Sequence, residues 1–349
     1  MAAYHTFVTL IVPAIIAYAV TLITTKFLMG YLADAGVIEE DRNKARPLKL
    51  PSSCGLAVVF GTIVGILTYI FGVTFLLMPD KHMLLDVRNL FAVSMTLLLI
   101  ALVGFLDDIN VKSKMVNATD IKSYKQGMKQ WQKPLLTVIG ALPLIAINAG
   151  VSTVRIPLIG LVNLGFWYPI VVLPLAIIFV SNAVNLLGGF DGLQTGMGAV
   201  ALTGLFVYSL IYGNHIGALI SLVMLASVLA FLPFNLGKVI PGDSFTYALG
   251  AGLVSIMVMG NAESFGVIIF IPWIVEFLLH LSRGFKVSDL GIRQKDGTFK
   301  APYGKRIYSL THLIMNMKKV TEREVAIYLS SIELAFVLLA FLMKVLGLL

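Results

Sequence analysis

Cysteine is almost missing from the chain: Cys54 stands alone among 349 residues, which excludes an intrachain disulfide and leaves packing to hold the fold. Charge is scarce too, at 13% of residues against about 25% in soluble domains. The five histidines are scattered, and no histidine or cysteine cluster has zinc spacing. No serine-histidine-aspartate set can be assembled, and the absence of a GxxxxGK[ST] loop speaks against a conventional NTP-driven pump. Internal repeats and low-complexity linkers are lacking as well, so one domain over residues 1–349 is the simplest organisation.

What the chain has is hydrophobic length. It is 58% hydrophobic with a mean hydropathy of +0.92, the composition of an integral membrane protein. A spanning helix needs about 20 mostly apolar residues, and ten such segments are centred near residues 18, 65, 98, 142, 173, 205, 225, 253, 272 and 335. The runs are continuous, whereas barrel strands would alternate over about ten residues. The expected fold is therefore an all-α polytopic membrane protein with about ten transmembrane helices. The first run is too long for a signal peptide and has no basic stretch before it, so it is expected to remain as a span.

Lysine and arginine decide orientation. The connections at 31–53, 107–133, 183–196, 235–244 and 283–323, with Lys26, carry 22 of the 26 basic residues. That asymmetry makes this face cytoplasmic and puts both termini on the outer face. The net charge of +8 is thus gathered on one surface, through topology and anionic lipid or through a polyanionic substrate. Both readings stand at this point.

Topology does not require acids, amides and glycines at membrane depth. Asp107 and Asp108 follow the third span in "GFLDDIN", where adjacent carboxylates repel unless a cation or a shared proton relieves them. "SNAVNLLGGFDGLQTG", residues 181–196, ends the fifth span on the same face without one basic residue. Its Asn182 and Asn185 lie on adjacent turns, Gly188 and Gly189 break the helix, and Asp191-Gly192 makes a turn. "PFNLGKVIPGDSFTYALGAG", residues 233–252, places Asp243 before the eighth span, as an N-cap or as a metal oxygen. Acid and amide oxygens ringed by basic loops form a composition suited to magnesium plus phosphates. For each island alone, the plain alternatives are solvated loop acids, a glycine-rich turn and a helix cap.

Taken together, "GFLDDI", "NAVNLLGGFDGLQTG", "PFNLGKVIPGDSFTYALGAG" and, more weakly, "ARPLKLPSSCGLAVVFG" and "SLTHLIMN" resemble the polyprenyl-phosphate N-acetylhexosamine-1-phosphate transferase family, in family order over nearly the full length. "NLLGGFDGL" with "PGDSFTYALGAG" is more similar to the dolichol-type branch than to the bacterial peptidoglycan branch, and the last cytoplasmic loop has only His312 where that branch carries a histidine cluster. The resemblance implies UDP-GlcNAc as donor and dolichyl phosphate, or another polyprenyl phosphate, as acceptor, with UMP released in the first lipid-linked step of N-glycosylation. It implies magnesium, or manganese in its place, held by Asn185 and Asp243. It gives Asp107 the role of base or orienter for the lipid phosphate, Asp108 that of its electrostatic partner, and Lys133 the pyrophosphate contact. Donor-binding positions implied are Asn182, Gly189, Asp191, Ile240, Arg283 and Lys286. Three departures stand out: Lys133 lies farther from the aspartate pair than is usual, Ser52 replaces an acid, and Ile240 replaces the uracil-stacking aromatic.

Glu276 and His280 lie four apart on the ninth span, as a packing pair or as the ion-coupling pair of a transporter. Glu333 reads as a packing or depth marker in the last span. The basic stretch 112–133, with Tyr124 and Trp131, is expected at the membrane interface, not on nucleic acid. The rival within the class is a transferase that charges undecaprenyl phosphate or uses another UDP-N-acetylhexosamine, and a homodimer is compatible with the sequence.

Overall fold

A computed structural model describes residues 2–76, 81–109, 112–115, 123–126, 128, 131–156 and 159–349. Helices dominate: α1 (Ala2–Asp34), α2 (Leu56–Leu76), α3 (Lys81–Ile109), α4 (Gln132–Thr137), α5 (Leu142–Ala146), α6 (Leu173–Leu186), α7 (Leu193–Ile211), α8 (His215–Asn235), α9 (Asp243–Met259), α10 (Glu263–Ile269), α11 (Ile271–Leu281), α12 (Leu310–Met317) and α13 (Glu322–Val345). Antiparallel hairpins occupy the connections: β1 (Ile38–Asp41) with β2 (Leu48–Pro51), β3 (Lys112–Met115) with β4 (Ser123–Gln126), β5 (Thr153–Ile156) with β6 (Gly160–Asn163), and β7 (Ile292–Arg293) with β8 (Phe299–Lys300). Of the stretch expected at the interface, residues 116–122, 127, 129 and 130 and the side chain of Tyr124 lie outside the described residues.

Seven described helices are long and apolar enough to cross a membrane, and an eighth crossing exists if α10 and α11, bent by 56°, are one span. The chain is thus a polytopic helical membrane protein, but length alone does not give the expected ten. The segment expected near 142 is Gln132–Ala146, interrupted by a 3₁₀ turn at Val138–Ala141. Pro134 and Pro143 flank that turn, and each removes a backbone donor. The segment near 253 is α9, whose 17 residues rise about 26 Å. Pro272 lies in the first turn of α11, so the bend has the usual proline cause.

α9 is the hub. Every residue from Ser244 to Val258 is buried, as expected of a helix apolar on all sides, and α3, α6, α7 and α8 pack around it. Gly104 of α3 lies against the backbone of Asp243 and Ser244, a close approach that any larger residue would prevent. By contrast, α1 exposes Ile15, Ile23 and Phe27, and α13 exposes Leu338, Leu342 and Val345, the surface expected to meet lipid. Glu276 pairs with His280 at 2.9 Å, while its other oxygen accepts the Leu310 amide at 2.7 Å. The pair therefore joins α11 to the start of α12 as packing. Glu333 is fully buried, and neither of its oxygens has a hydrogen-bond partner among the described residues.

Candidate active site

The two adjacent aspartates part company. Consecutive residues on a helix point about 100° apart, and the last turn of α3 uses that angle to send Asp107 and Asp108 into different surroundings. Asp108 Oδ1 accepts the Asp243 amide at 2.8 Å, and Oδ2 accepts the Ser244 amide at 3.3 Å and the Ser53 hydroxyl at 2.5 Å. A carboxylate from α3 thus satisfies the first free amides of α9 and faces the positive end of its dipole. Asp107 Oδ1 accepts the Met128 amide at 2.6 Å, and Oδ2 lies 2.6 Å from Lys133 Nζ. Repulsion between the neighbours is relieved by one ammonium group and one helix terminus.

Lys133 also reaches Asp243 Oδ2 at 3.2 Å, so its ammonium group stands between two carboxylates. Against the effect of burial, Lys133 and, to a smaller degree, Asn185 hold the Asp243 carboxyl below its ordinary value, and Asn185 Oδ1 accepts the Thr246 hydroxyl at 2.8 Å. Magnesium takes one or two carboxylates and fills its remaining positions with water and substrate phosphates. One carboxylate, 26% exposed, with a carboxamide oxygen that keeps a second lone pair, fits that requirement. The ammonium already held there marks the spot as one that attracts cations.

The glycine-rich turn forms a second cluster. Gly189 has φ of +81°, a left-handed backbone that favours glycine, and a Cβ there would meet Leu290 Cδ2 at 2.6 Å. The Gly188 amide donates to Asp289 Oδ2 at 2.9 Å, while the Asp289 carbonyl accepts the Thr311 hydroxyl at 2.6 Å. Asp191 Oδ2 is 2.5 Å from Lys44 Nζ, which also lies 2.7 Å from Glu322 Oε2 and 3.3 Å from Asp41 Oδ2. Burial raises the Asp191 carboxyl to about 6, helped by the charge of Glu322 and opposed by Lys44. Burial, with the charge of Glu276, likewise raises Asp289 to about 6. Lys44 is held above its ordinary value because the pull of Asp191 and Glu322 exceeds the opposing effect of burial.

Of the residues proposed from sequence, Asp107, Asp108, Lys133, Asn185 and Asp243 converge at the start of α9. Ile240 lies just before them, its amide donating to the Pro51 carbonyl at 2.9 Å. Asn182 donates to the Ile178 carbonyl at 2.8 Å and to Thr137 Oγ1 at 3.3 Å, which braces α6 against α4. Arg283 is exposed, with its guanidinium 4.8 Å from the Tyr308 ring centre; Lys286 is exposed as well. Among the described residues, neither forms an ion pair with Asp107, Asp191 or Asp243. Sequence reasoning missed Asn43, Lys44, Ser53, Asp289 and Glu322. "DRNKAR", residues 41–46, carried a signal, since an acid and an amide among its bases exceed what topology needs. Ser53 lies in the weakly matching "ARPLKLPSSCGLAVVFG", whereas nothing set Asp289 or Glu322 apart from other loop residues.

The profile described as Glycosyl transferase family 4 matches residues 90–261, a stretch that contains Asp107, Lys133, Asn185, Asp191 and Asp243. A protein of Saccharolobus solfataricus, provisionally named as a UDP-N-acetylglucosamine--dolichyl-phosphate N-acetylglucosaminephosphotransferase, is 30% identical over 340 residues, covering 96% of this chain and 97% of its own. A Sulfolobus acidocaldarius protein with the same provisional name is 26% identical over 336 residues, 95% of each chain. The phospho-N-acetylmuramoyl-pentapeptide-transferase of Limosilactobacillus fermentum is 33% identical over 191 residues, 54% of this chain and 56% of its own.

Proposed function

The chain belongs to glycosyl transferase family 4, and from that premise we propose that it transfers GlcNAc-1-phosphate from UDP-GlcNAc to dolichyl phosphate or a similar polyprenyl phosphate, releasing UMP. The observation that carries the reading is the Asp107–Lys133–Asp243 cluster, with distances of 2.6 and 3.2 Å, at the mouth of the central helix. The dolichyl acceptor is favoured over undecaprenyl phosphate because similarity to the Saccharolobus solfataricus protein runs over 96% of the chain, against 54% for the pentapeptide transferase. The product would be the first lipid-linked intermediate of N-glycosylation.

In this reading, an oxygen of the lipid phosphate attacks the β-phosphorus of the donor. The new P–O bond forms as the bond to UMP breaks, and UMP leaves as an anion. Magnesium, held by Asp243 and Asn185, would neutralise and orient the donor pyrophosphate. Lys133 offsets the remaining charge as the two anions approach. Asp107 has both oxygens engaged, by the Met128 amide and by Lys133, so it positions Lys133. The acceptor needs no strong base, since a phosphate monoester has its second pKa near 6. Asp108 fixes the start of α9, and with it Asp243.

Ten crossings agree with this arrangement. Lys133 and Asn185 both lie at the cluster while α6 is long enough to span, which supports a further crossing by 132–146. α9 and the α10–α11 pair likewise leave the cluster and return to it. The basic loops argue for a cytoplasmic site with both termini outside. Purified protein given a panel of UDP-sugars and polyprenyl phosphates should yield, by mass spectrometry, a polyprenyl-diphosphate-GlcNAc only with UDP-GlcNAc and magnesium, with matching UMP. Another sugar in the product, or no UMP, overturns the reading.

A further inference from the structure

Three carboxylates, from Asp41, Asp191 and Glu322, offer oxygens within 4.8 Å of one another. Such a trio could hold a metal, but the Lys44 ammonium already stands among them. The lysine is their counter-charge, and the question becomes what this assembly holds in place.

Its parts come from three distant segments. The β1–β2 hairpin, with Asp41 opposite Leu48, presents Asn43 and Lys44, and Asp41 Oδ1 accepts the Asn43 amide at 3.0 Å, which fixes the tip. The glycine-rich turn contributes the Gly189 carbonyl, which accepts from Asn43 Nδ2, and the Asp191 amide and carboxylate. Glu322, in the first turn of α13, binds both partners. Its Oε1 accepts the Asp191 amide at 3.1 Å and Asn43 Nδ2 at 3.2 Å, and its Oε2 faces Lys44 Nζ at 2.7 Å. A 420 Å³ cavity opens beside them, lined in part by Asn43, Lys44, Asp191, Arg293, Phe299 and Glu322.

We propose that Glu322 and Lys44, with Asn43, are positioning residues that clamp the 188–191 turn in the conformation that receives the nucleotide of the donor. A turn that breaks a helix with a pair of glycines, of which Gly189 is left-handed, has no intrinsic reason to keep one shape. Here its backbone is gripped at the Gly189 carbonyl and the Asp191 amide by side chains from outside the turn. Glu322 carries the grip to the last span, so the orientation of α13 and the shape of the turn are tied. The ion pairs are partly buried, with side-chain exposures of 27% for Lys44, 21% for Asp191 and 16% for Glu322. Their geometry therefore constrains more than a fully solvated pair would.

The proposal rests on the transferase reading and specifies how its donor side is built. The test is steady-state kinetics on the full-length protein with Glu322→Ala, Lys44→Ala and the double variant, alongside thermal unfolding. Each single variant should raise KM for UDP-GlcNAc about tenfold, kcat should fall by a smaller factor, and KM for polyprenyl phosphate should stay within about twofold. The double variant should be no worse than the poorer single, because both remove one clamp. Lys44→Arg should recover part of the donor affinity. An unchanged donor KM, single effects that multiply in the double, or equal loss for both substrates each overturns the clamp. Should alanine at 322 prevent folding, Glu322→Gln, which keeps the Oε1 acceptor and loses the charge facing Lys44, reads the same split. Absence of UMP from the unaltered protein sinks the transferase reading, whereas normal UMP release with unaltered donor KM in the variants sinks the clamp alone.

Discussion

Replacing Asp108 by alanine separates two roles for the second aspartate. The change leaves the Asp243 and Ser244 amides and the Ser53 hydroxyl without the acceptor they share. Losing a side-chain cap costs about 0.5–2 kcal/mol, and a buried amide left unpaired costs about 1–3 kcal/mol. With one short and one longer amide bond at stake, the expected destabilisation is about 2–4 kcal/mol. Asp243 is the first residue of α9, so the same loss loosens the proposed metal ligand. A misalignment of about 2 kcal/mol at that position slows turnover about 30-fold. Thermal unfolding in detergent and UMP release, measured on one preparation, read both effects. Asp108→Asn should fall between, since it keeps an acceptor for the Asp243 amide. Unchanged unfolding together with a raised KM for the lipid phosphate would refute the argument and return Asp108 to the acceptor side.

Removing the charge of Lys133 by Lys133→Met leaves Asp107 and Asp243 facing each other; turnover should drop a hundredfold or more, and Lys133→Arg should retain part of it. Gly189→Ala sets a side chain at φ +81°, which costs about 1–2 kcal/mol, so donor KM should rise about tenfold; an unchanged KM would mean that the turn is looser than the structure has it. The Asp191 carboxyl, raised from 3.8 to about 6, takes up a proton in the folded chain that the unfolded chain has already released. Its contribution to stability is complete below about pH 4 and is lost as pH rises through about 6. Donor KM should move the opposite way, rising as pH falls from 7 to 5, because protonation discharges the partner of Lys44; a flat profile would contradict this.

The span pattern was legible because a bilayer demands runs of apolar residues whatever their neighbours do. Where the expectation of ten long spans met shorter helices, proline and glycine chemistry was the cause: Pro134 and Pro143 around the 3₁₀ turn, and Pro241-Gly242 before α9. The grouping of Asp107, Asp108, Lys133, Asn185 and Asp243 could be inferred from the three polar islands and the resemblance they carry. The expected weights within the group could not. The sequence pairs Asp107 with Asp108, yet the structure gives one to Lys133 and the other to the start of α9.

Arg283 illustrates the same limit from the other side. The resemblance implies a sugar-phosphate clamp for it; in the structure its guanidinium lies over the Tyr308 ring, while the charges that close on the glycine-rich turn come from Lys44 and Glu322. These two lie 278 positions apart, and no local periodicity connects them. Composition and the length of the apolar runs determined by themselves that the chain is a helical membrane protein with polar islands between its spans, since those properties follow from each residue's own solvation. Which acid caps, which positions a lysine and which grips a turn was decided only by tertiary structure, because a carboxylate's role depends on the donors that distant segments bring to it.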